Sequence, residues 1–555
     1  MNRFLAYLFL AFISWSCAAQ GNSEMNVKPE VNLEQFQRPK LVVGIIVDQM
    51  RYDYLTRFHS KYGSGGFMRL IDGGFNCKNT HFNYVPTYTG PGHSSVYTGT
   101  TPRNHGIISN SWFDKIEKEF VYCAGDDSVI SVGTPTAAGK MSPHRMISST
   151  FSDENRLFTQ MRGKTIGISI KDRGAVLPAG HTANAAYWYT GKTEGNWITS
   201  SYYMDVLPQW VQDFNASDAV EYYLKPWNTL RDIQSYTESG DDLNEFEGGF
   251  YGKETAVFPY DLVKLAPQNG NLDILRSTPY GNSLVTDFAI AALKNEKLGT
   301  DQYTDILAIS YSSTDYIGHN FGVNSKEVQD TYLRLDLEVE RLLKYLDKEV
   351  GQGNFTVFLT SDHGAVDVPN YLRSVNIPSG YIDGLLVKSK FSEYLESTFR
   401  SKEIVENVSN NQVFLNKAEL ERLKLNKDEV CSAIIDEIIS YDHIDKAYSA
   451  RTIHNGSFTS GIEALLHKGF NQKRSGDILI VNKPAHIQYS QTGSTHGTGL
   501  NYDTHVPLLF YGQGIKKGQS LEYVPITSIA PTISALLKMS YPNAATGQPL
   551  YFVLD

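Results

Sequence analysis

The sequence predicts an α/β protein with a mostly parallel central sheet, flanked by helices and capped by insertions. Four apolar, β-branched runs support this fold class, because such runs are typical of strands buried on both faces; they lie at 41–47, 165–170, 305–314 and 355–360. A long amphipathic segment between the third and fourth runs predicts a helix. A strand–helix–strand unit of this length implies parallel strands.

The N-terminus is predicted to be a signal peptide over residues 1–19. Residues 5–13 form an apolar run too short to span a bilayer, and Ala19 is a small residue suited to cleavage. Lipid attachment at Cys17 is the alternative, but the residues before it match a lipoprotein signal poorly. Residues 20–38 are predicted to be a flexible lead-in. We therefore expect an exported protein, periplasmic or secreted, with no transmembrane segment.

Residues 39–555 are assigned to a single domain. The segment 325–350 has apolar residues three and four positions apart, which predicts a helix with one apolar stripe. Asn324 or Ser325 is a suitable N-cap for it. Val506–Tyr511 predicts a further strand.

Ile526–Met539 predicts a shorter closing helix. Two long stretches lack the strand–helix rhythm, and we predict that they are insertions capping the core: about 174–300, rich in Tyr, Trp, Gly and Asp, and about 372–490.

Composition is that of a soluble globular protein, with 41% hydrophobic and 20% charged residues among 555. The formal net charge of −10 argues against a general nucleic-acid surface. After signal cleavage three cysteines remain, which is too few for a disulfide scaffold. A Cys77–Cys123 bridge is left open, and Cys431 has no partner in this scheme.

Charged or metal-binding side chains follow four of the predicted strands: Asp48, Lys171, Arg173, Asp315, His319, Asp362 and His363. The carboxyl ends of parallel strands meet at one edge of a sheet, so we expect these side chains to converge there. Asp oxygen and His nitrogen are ligands for a cation such as Zn²⁺. A single Asp after a strand is usually a turn or capping residue, but that explanation does not extend to seven. The sequence therefore predicts a metal site and hydrolytic chemistry.

The segment 86–95 is rich in Thr, Gly and Pro, which predicts a turn, with a helix able to begin at Ser94. The hydroxyl of Thr89 could face a metal ion and act as a nucleophile. Residue types alone favour a plain turn with a capping hydroxyl.

Taken together, these segments resemble the alkaline phosphatase superfamily, in the order that the family has them. The matching motifs are Thr89-Gly-Pro-Gly-His93, Tyr97-Thr-Gly99, Pro102-Arg-Asn-His-Gly-Ile107 through Asn110, Asp315-x-x-Gly-His319, Ser361-Asp-His-Gly364 and His496-Gly497. The match runs from about residue 41 to the C-terminus and is most similar to the phosphate-irrepressible enzymes of flavobacteria. The nucleotide pyrophosphatase/phosphodiesterase branch is less similar, since it usually has Asp-Gly-Phe-Arg where this chain has Asp48-Gln-Met-Arg51.

The resemblance implies two Zn²⁺ ions per chain and no Mg²⁺. Asp315, His319 and His496 would hold one zinc ion. Asp48, Asp362 and His363 would hold the other, which would also meet Thr89. Thr89 would attack phosphorus and form a phosphothreonine intermediate that water then hydrolyses.

The resemblance also implies three substrate-binding, catalytic residues. Asn110 stands where the family has an Asn that binds a phosphate oxygen. Lys171 and Arg173 would bind the extra charge of a dianionic monoester, and the diesterase branch generally lacks such cations. We therefore expect a secreted alkaline phosphatase of broad specificity, acting as a monomer on small phosphate monoesters. The alternatives are a phosphodiesterase, nucleotide pyrophosphatase-like or phosphonate-cleaving enzyme, and an exported binding protein without turnover.

Overall fold

A large mixed sheet lies at the centre of the protein and confirms the predicted α/β architecture. The structure is a computed structural model that describes residues 37–192 and 194–555. Its strands, in chain order, are β1 (Leu41–Val47), β2 (Phe75–His81), β3 (Ser111–Asp114), β4 (Glu119–Tyr122), β5 (Ser131–Val132), β6 (Thr165–Ser169), β7 (Ala185–Thr190), β8 (Asn196–Ser200), β9 (Asp305–Tyr311), β10 (Phe355–Thr360), β11 (Gly380–Tyr381), β12 (Val405–Ser409), β13 (Gln412–Leu415), β14 (Ile444–Ser449), β15 (Ile478–Asn482), β16 (His486–Ile487), β17 (His505–Val506), β18 (Leu508–Gly512) and β19 (Gly518–Pro525).

Helices cover both faces of the sheet. In chain order they are α1 (Asp53–Arg57), α2 (Phe67–Gly73), α3 (Thr89–Thr98), α4 (Pro102–His105), α5 (Phe151–Phe158), α6 (Asp172–Ala179), α7 (Gln209–Asn215), α8 (Leu262–Leu265), α9 (Pro279–Glu296), α10 (Ser313–Phe321), α11 (Lys326–Leu346), α12 (Pro369–Ser374), α13 (Gly384–Phe399), α14 (Lys417–Leu423), α15 (Lys427–Ile438), α16 (Ala450–Asn455), α17 (Gly461–Gly469), α18 (Asn501–Thr504) and α19 (Ile529–Leu536). Short 3₁₀ turns connect several of them.

Five parallel strands form the middle of the sheet, in the order β10–β1–β9–β6–β7. Antiparallel strands extend it on both sides, with β18 next to β10 and β8 next to β7. The register pairs the end of β1 with the ends of its neighbours, Val47 with Tyr311 and Ile46 with Thr360. The segments that follow β1, β9 and β10 therefore leave the sheet side by side.

The central strand β1 is apolar throughout because both of its faces are buried. Leu41, Val43, Ile45 and Val47 pack into the core on one face of the sheet. Val42 and Ile46 pack into a second core on the other face. A strand that contacts two cores has no polar side, and its hydrophobic residues cannot alternate with polar ones.

Most of the predicted elements are confirmed. The predicted helix at 325–350 is α11, whose N-cap is Ser325: the Ser325 hydroxyl accepts a hydrogen bond from the Val328 amide. The predicted closing helix is a 3₁₀ turn at Ile526–Ser528 followed by α19. The predicted strand at 506–511 is β17 and β18, separated at Pro507, a residue that cannot donate to a strand ladder.

The stretch 174–300, which we predicted to be an insertion, contributes to the central sheet. Within it, β7 pairs parallel with β6 and β8 pairs antiparallel with β7. Helix α9, near the end of the stretch, packs on the sheet through Leu284, Val285 and Phe288. The prediction missed these strands because their Tyr, Trp and Thr residues do not form an aliphatic run.

Residues 380–487, here named the cap, lie within the second predicted insertion and form a separate layer. The cap has its own antiparallel sheet in the order β12–β13–β15–β14. Helices α13, α14 and α15 pack on this sheet around a core that includes Leu395, Ile404, Val413 and Ile434. The cap therefore has a hydrophobic core distinct from the two that flank the central sheet.

Two predictions need correction. Helix α3 begins at Thr89, not at Ser94, because Pro91 lies in the first turn, where a missing N–H costs no helical hydrogen bond. The Cys77–Cys123 bridge does not form, since Cys77, Cys123 and Cys431 are all free and buried.

The predicted signal peptide and nearly all of the lead-in lie outside the described residues. In residues 37–192 and 194–555, every helix is too short or too polar to cross a bilayer.

Candidate active site

The predicted site residues meet at the carboxyl edge of the parallel strands. Asp48 directly follows β1, and Asp362 and His363 follow β10. Asp315 and His319 lie one turn apart on α10, the helix that follows β9. The sheet thus brings together segments that are far apart in sequence, as the strand-end argument predicts.

Asp48, Asp362 and His363 form the first group. The Nε2 atom of His363 lies 3.6 Å from Asp48 Oδ1 and 3.5 Å from Asp362 Oδ2. One potential ligand atom from each residue falls within 4.8 Å of the others, and all three side chains are fully buried. Thr89 Oγ1 lies 3.5 Å from His363 Nε2. This group is the predicted Asp48–Asp362–His363 set, with the Thr89 hydroxyl beside it.

Asp315 is the centre of the second group. His319 Nε2 lies 3.2 Å and His496 Nε2 lies 3.8 Å from Asp315 Oδ1. Asp315 and His496 also come together with His363, whose ring stacks on that of His496 with centroids 3.4 Å apart. His363 therefore stands between the two groups, and His319 approaches from the outer side of Asp315.

Each of the three histidines has its Nδ1 atom on a backbone carbonyl. The distances are 3.0 Å from His363 to Gly364 O, 2.7 Å from His319 to Ser494 O and 2.7 Å from His496 to Thr87 O. A carbonyl only accepts, so Nδ1 must carry the proton and donate it. In the neutral ring this leaves the Nε2 lone pair free and directed at the carboxylates, which is the arrangement of a metal-ligating histidine.

The buried carboxylates also fit a cation. Asp48 Oδ1 and Asp362 Oδ2 are buried oxygens without a hydrogen-bond partner among the described residues. Burial, followed by the charges of Asp315 and Asp362, raises the pKa of Asp48 to about 8. Orphaned oxygens and crowded negative charge are both relieved by a divalent cation, so these residues fit a metal centre.

Lys171 supplies one positive charge at the same place. Its Nζ atom lies 2.7 Å from Asp48 Oδ2 and 2.5 Å from Asp315 Oδ2, so it links the two groups. Burial alone would lower the pKa of Lys171, but Asp315 and Asp48 raise it above its ordinary value. The ammonium group therefore stays charged at the meeting point of the two groups.

Thr89 is the first residue of α3, at the positive end of the helix dipole. Such a helix end favours anions, because the dipole attracts negative charge. A Cβ at Gly92 would lie 2.4 Å from the Asp362 carbonyl oxygen, so this glycine lets the helix approach the strand-end loop. The Thr89 hydroxyl is thereby held where an anion would bind.

Asn110 is close to this helix end. Its side-chain oxygen accepts a 2.7 Å hydrogen bond from the Gly90 amide, and its carbonyl accepts one from the Cys123 amide. Since the Oδ1 atom is used in this way, the carboxamide NH₂ is the part of Asn110 left to donate to a ligand.

Arg173 lies in the first turn of α6, two residues after Lys171. Its Nη1 atom donates to the Tyr122 hydroxyl at 3.1 Å, and that hydroxyl also bonds to Asp172. Burial would lower the pKa of Arg173, but Tyr122 and Asp172 raise it well above the ordinary value. The guanidinium is thus a fixed positive charge held by a tyrosine.

Sequence reasoning missed Gln49. Its backbone has φ of 65°, a left-handed conformation that non-glycine residues seldom adopt. Its amide donates to Asp362 Oδ1 at 3.1 Å, and its side chain donates to Asp315 Oδ1 at 2.7 Å. A Cβ at Gly318 would overlap Gln49 Oε1, which explains the glycine of the Asp315–His319 motif. The signal was available, because Gln49 stands where the diesterase branch usually has glycine.

Asp503 was also missed. It accepts hydrogen bonds from the Gly497 and Thr498 amides and from the Thr498 hydroxyl, and so fixes the loop that carries His496. Its position after an ordinary polar stretch gave no sign of this role. His93 bonds through Nδ1 to Thr89 O, and the same atom lies 3.3 Å from Asp362 Oδ2.

Comparison with known proteins agrees with this geometry. The family described as type I phosphodiesterase / nucleotide pyrophosphatase matches residues 42–505. The chain belongs to this family of the alkaline phosphatase superfamily. Alkaline phosphatase PafA of Elizabethkingia meningoseptica is 42% identical over 93% of this chain and 95% of its own. Alkaline phosphatase PhoV of Synechococcus elongatus is 42% identical over 98% of both chains.

A Myroides odoratus protein named as a calcium-transporting ATPase is 44% identical over 94% of this chain and 96% of its own. The crystal structure of wild-type PafA superposes with a TM-score of 0.90 and covers 93% of this chain and 99% of that one. A second PafA structure carries substitutions at one Thr, one Asn, one Lys and one Arg. The present chain is accordingly a phosphoesterase of the alkaline phosphatase type.

Proposed function

We propose that this protein is an exported, zinc-dependent alkaline phosphatase that hydrolyses phosphate monoesters through a phosphothreonine intermediate. The observation that carries the proposal is the position of Thr89. Its hydroxyl lies at the N-terminus of α3, 3.5 Å from His363 Nε2, where the two Asp/His groups meet.

We assign Asp48, Asp362 and His363, with Thr89, to one zinc ion, and Asp315, His319 and His496 to the other. Two observations support this assignment. The Nε2 lone pairs of the three histidines are free and face the carboxylates. One buried oxygen each of Asp48 and Asp362 has no hydrogen-bond partner among the described residues. Donors that are histidine nitrogen and carboxylate oxygen suit Zn²⁺, and no Mg²⁺ is assigned. Bound zinc would lower the pKa of a coordinated hydroxyl and stabilise a leaving oxygen.

The chain's own residues supply the nucleophile and the anion site. Thr89 attacks phosphorus and displaces the alcohol, and water then releases phosphate from the phosphothreonine. Asn110, whose Oδ1 is held by the Gly90 amide, would donate its NH₂ to a non-bridging phosphate oxygen. The positive end of the α3 dipole would attract the same anion.

Lys171 and Arg173 are the proposed basis of monoester preference. A dianionic monoester carries one more negative charge than a diester, and two fixed cations stabilise that charge. Lys171 pairs with Asp48 and Asp315, which holds its charge between the two groups of proposed metal ligands. Thr, Asn, Lys and Arg are also the four residue types replaced in the second PafA structure, which supports grouping them here.

The deciding experiment is kcat/KM of the mature, zinc-loaded protein for a phosphate monoester and a diester with the same aryl leaving group. We expect a strong monoester preference. A diester preference would overturn the substrate assignment and favour a phosphodiesterase, while phosphate binding without turnover would overturn the assignment as an enzyme.

Export and a monomeric state complete the proposal. Mass spectrometry of the periplasmic or secreted protein should give a chain that begins close to residue 20. Retention of the full N-terminus, or a lipid on Cys17, would contradict cleavage near Ala19.

A further inference from the structure

The turn between β12 and β13 of the cap contacts the loop that carries Asn110. Strands β12 and β13 pair Ser409 with Gln412, which leaves Asn410 and Asn411 as a two-residue hairpin loop. Both have positive φ, 51° and 56°. This is the geometry of a type I′ turn, in which Asn is favoured because it tolerates the left-handed region.

Asn410 extends from this turn to both neighbours of Asn110. Its Oδ1 atom accepts from the Ser109 hydroxyl at 3.1 Å, and its Nδ2 atom donates to the Ser111 carbonyl at 2.8 Å. One side chain therefore bonds both neighbours of the proposed phosphate ligand, Ser109 through its hydroxyl and Ser111 through its carbonyl. Ser109 is 2% exposed, and both bonds are partly buried.

The remaining anchors of Asn110 come from the catalytic core. Gly90 holds its side-chain oxygen and Cys123 holds its carbonyl. Ser111 is also held by its pairing with Tyr122 between β3 and β4. Asn410 adds bonds to Ser109 and Ser111 from a different layer of the protein.

The cap is itself firmly attached beside this loop. Lys115 donates to the carbonyls of Gln472 and Ser475 at 3.1 and 2.7 Å. Arg474 of the cap donates to the carbonyls of Gly106 and Arg145. Because the cap is fixed at these points, the Asn410 side chain can act as a rigid support.

We propose that Asn410 is a positioning residue that holds Asn110 in place for the phosphate, and that the cap is thereby part of the active-site scaffold. This inference rests on the proposed function, since it takes Asn110 as a phosphate ligand. Asn410 itself need not touch the substrate. Its effect should appear as weaker binding of phosphate and slower turnover of monoesters.

The test compares Asn410→Gly with Asn411→Gly in the full, zinc-loaded protein. Glycine keeps the left-handed backbone and removes only the side chain. Asn411 is the matched control, because within residues 37–192 and 194–555 its side chain makes a single, exposed hydrogen bond, accepted from Asn482. We expect Asn410→Gly to lower kcat/KM for an aryl phosphate about tenfold and to weaken inhibition by inorganic phosphate similarly, as small misplacements of a ligand do. Asn411→Gly should change both by less than about twofold.

A double-mutant cycle tests whether Asn410 acts through Asn110. In an Asn110→Ala background, Asn410→Gly should change kcat/KM by less than about twofold, because the group it positions is gone. Ser109→Ala removes the bond between Ser109 and Asn410 without altering the cap, and we expect it to lower kcat/KM about threefold. Because the hairpin keeps its sequence in this variant, a loss of activity cannot come from a misfolded hairpin.

The outcomes separate the two proposals. If Asn110→Ala impairs the enzyme but Asn410→Gly and Ser109→Ala do not, only the positioning role is wrong. An equal loss from Asn410→Gly in both backgrounds also overturns it. If Asn110→Ala leaves kcat/KM and phosphate inhibition unchanged, the phosphate role of Asn110 and the inference built on it are both wrong.

Discussion

The carboxyl edge of the central sheet and the cap differ in how they serve the site. The edge provides the predicted metal ligands and Thr89, from segments as distant as residues 48 and 496. The cap is folded around its own core, and its Asn410 turn contacts the loop that carries Asn110. The proposed chemistry is thus concentrated where parallel strands end, while the proposed role of the added layer is to support the geometry of one loop.

The comparison shows what each region requires of its sequence. Residues at the sheet edge must have particular ligand atoms, and few substitutions preserve them. In the cap, most residues need only be apolar in the core and polar outside. We therefore expect mutations at the edge to affect activity far more than stability, and mutations in the cap to do the reverse.

Thr89→Ala should have the largest effect on activity. Loss of the nucleophile should lower kcat/KM for a monoester on the order of 10⁵-fold, comparable to other losses of a covalent nucleophile. Thr98→Ala, at the other end of the same helix, is the control and should keep most activity. A Thr89→Ala enzyme with most of its activity would exclude a phosphothreonine intermediate.

Lys171→Ala and Arg173→Ala should each reduce monoester hydrolysis about 10²-fold, with a much smaller effect on diesters. The reason is that both cations are assigned to the extra charge of the dianion. Lys164→Ala, near the start of β6 and paired with Glu296, should affect neither substrate. Equal losses on monoester and diester would contradict the phosphate-binding role.

Gln49→Gly tests a residue at the carboxyl edge that bonds to a proposed metal ligand. The substitution removes the hydrogen bond to Asp315, so it should weaken zinc retention about tenfold. Because glycine also relieves the left-handed backbone, the unfolding free energy of the metal-free protein should stay within about 1 kcal/mol of the wild type. Zinc released on dialysis against a chelator is the readout. Lys118→Gly, another left-handed residue, should leave zinc retention unchanged. Unchanged zinc retention in Gln49→Gly would contradict a role for Gln49 in positioning Asp315.

Ile434→Ala tests the cap. It removes a fully buried side chain from the cap core and should cost about 2–4 kcal/mol of unfolding free energy in urea, with kcat/KM changed by less than about tenfold. Ile45→Ala makes the same change in β1 and should impair both stability and turnover. If Ile434→Ala abolished turnover in the folded protein, the cap would have a more direct catalytic role.

The smallest expected effect concerns pH. His81 stacks between His505 and Tyr523, and burial, followed by the charge of His505, lowers its pKa to about 4. The unfolded chain takes up the proton near pH 6.5, so this stability is present above pH 6.5 and lost as the pH falls towards 4. His81→Phe keeps a stacked ring and should lose less unfolding free energy than the wild type between pH 6.5 and 4. If the unfolding free energies of the wild type and His81→Phe changed identically with pH, His81 would make no contribution to the pH dependence of stability.

Much of the fold could be predicted because the parallel strands are buried on both faces and their sequences are apolar throughout. Strands β7 and β8 escaped notice because aromatic and Thr residues fill the same positions. The ligand residues were visible as Asp and His at strand ends. Gln49 and Asn410 were not, since an amide side chain has many uses and only the folded chain shows what it contacts.

The cap begins and ends at neighbouring points. Gly380 of β11 pairs with His486 of β16, and Tyr381 pairs with Ile487, so the chain enters and leaves the cap side by side. A segment with adjacent ends can be exchanged for a shorter or longer one with little cost in loop closure. The architecture is therefore suited to module grafting, in which a foreign insertion between these strands would be tolerated by the sheet. Such a graft would retain full activity only if it carried a replacement for the Asn410 turn.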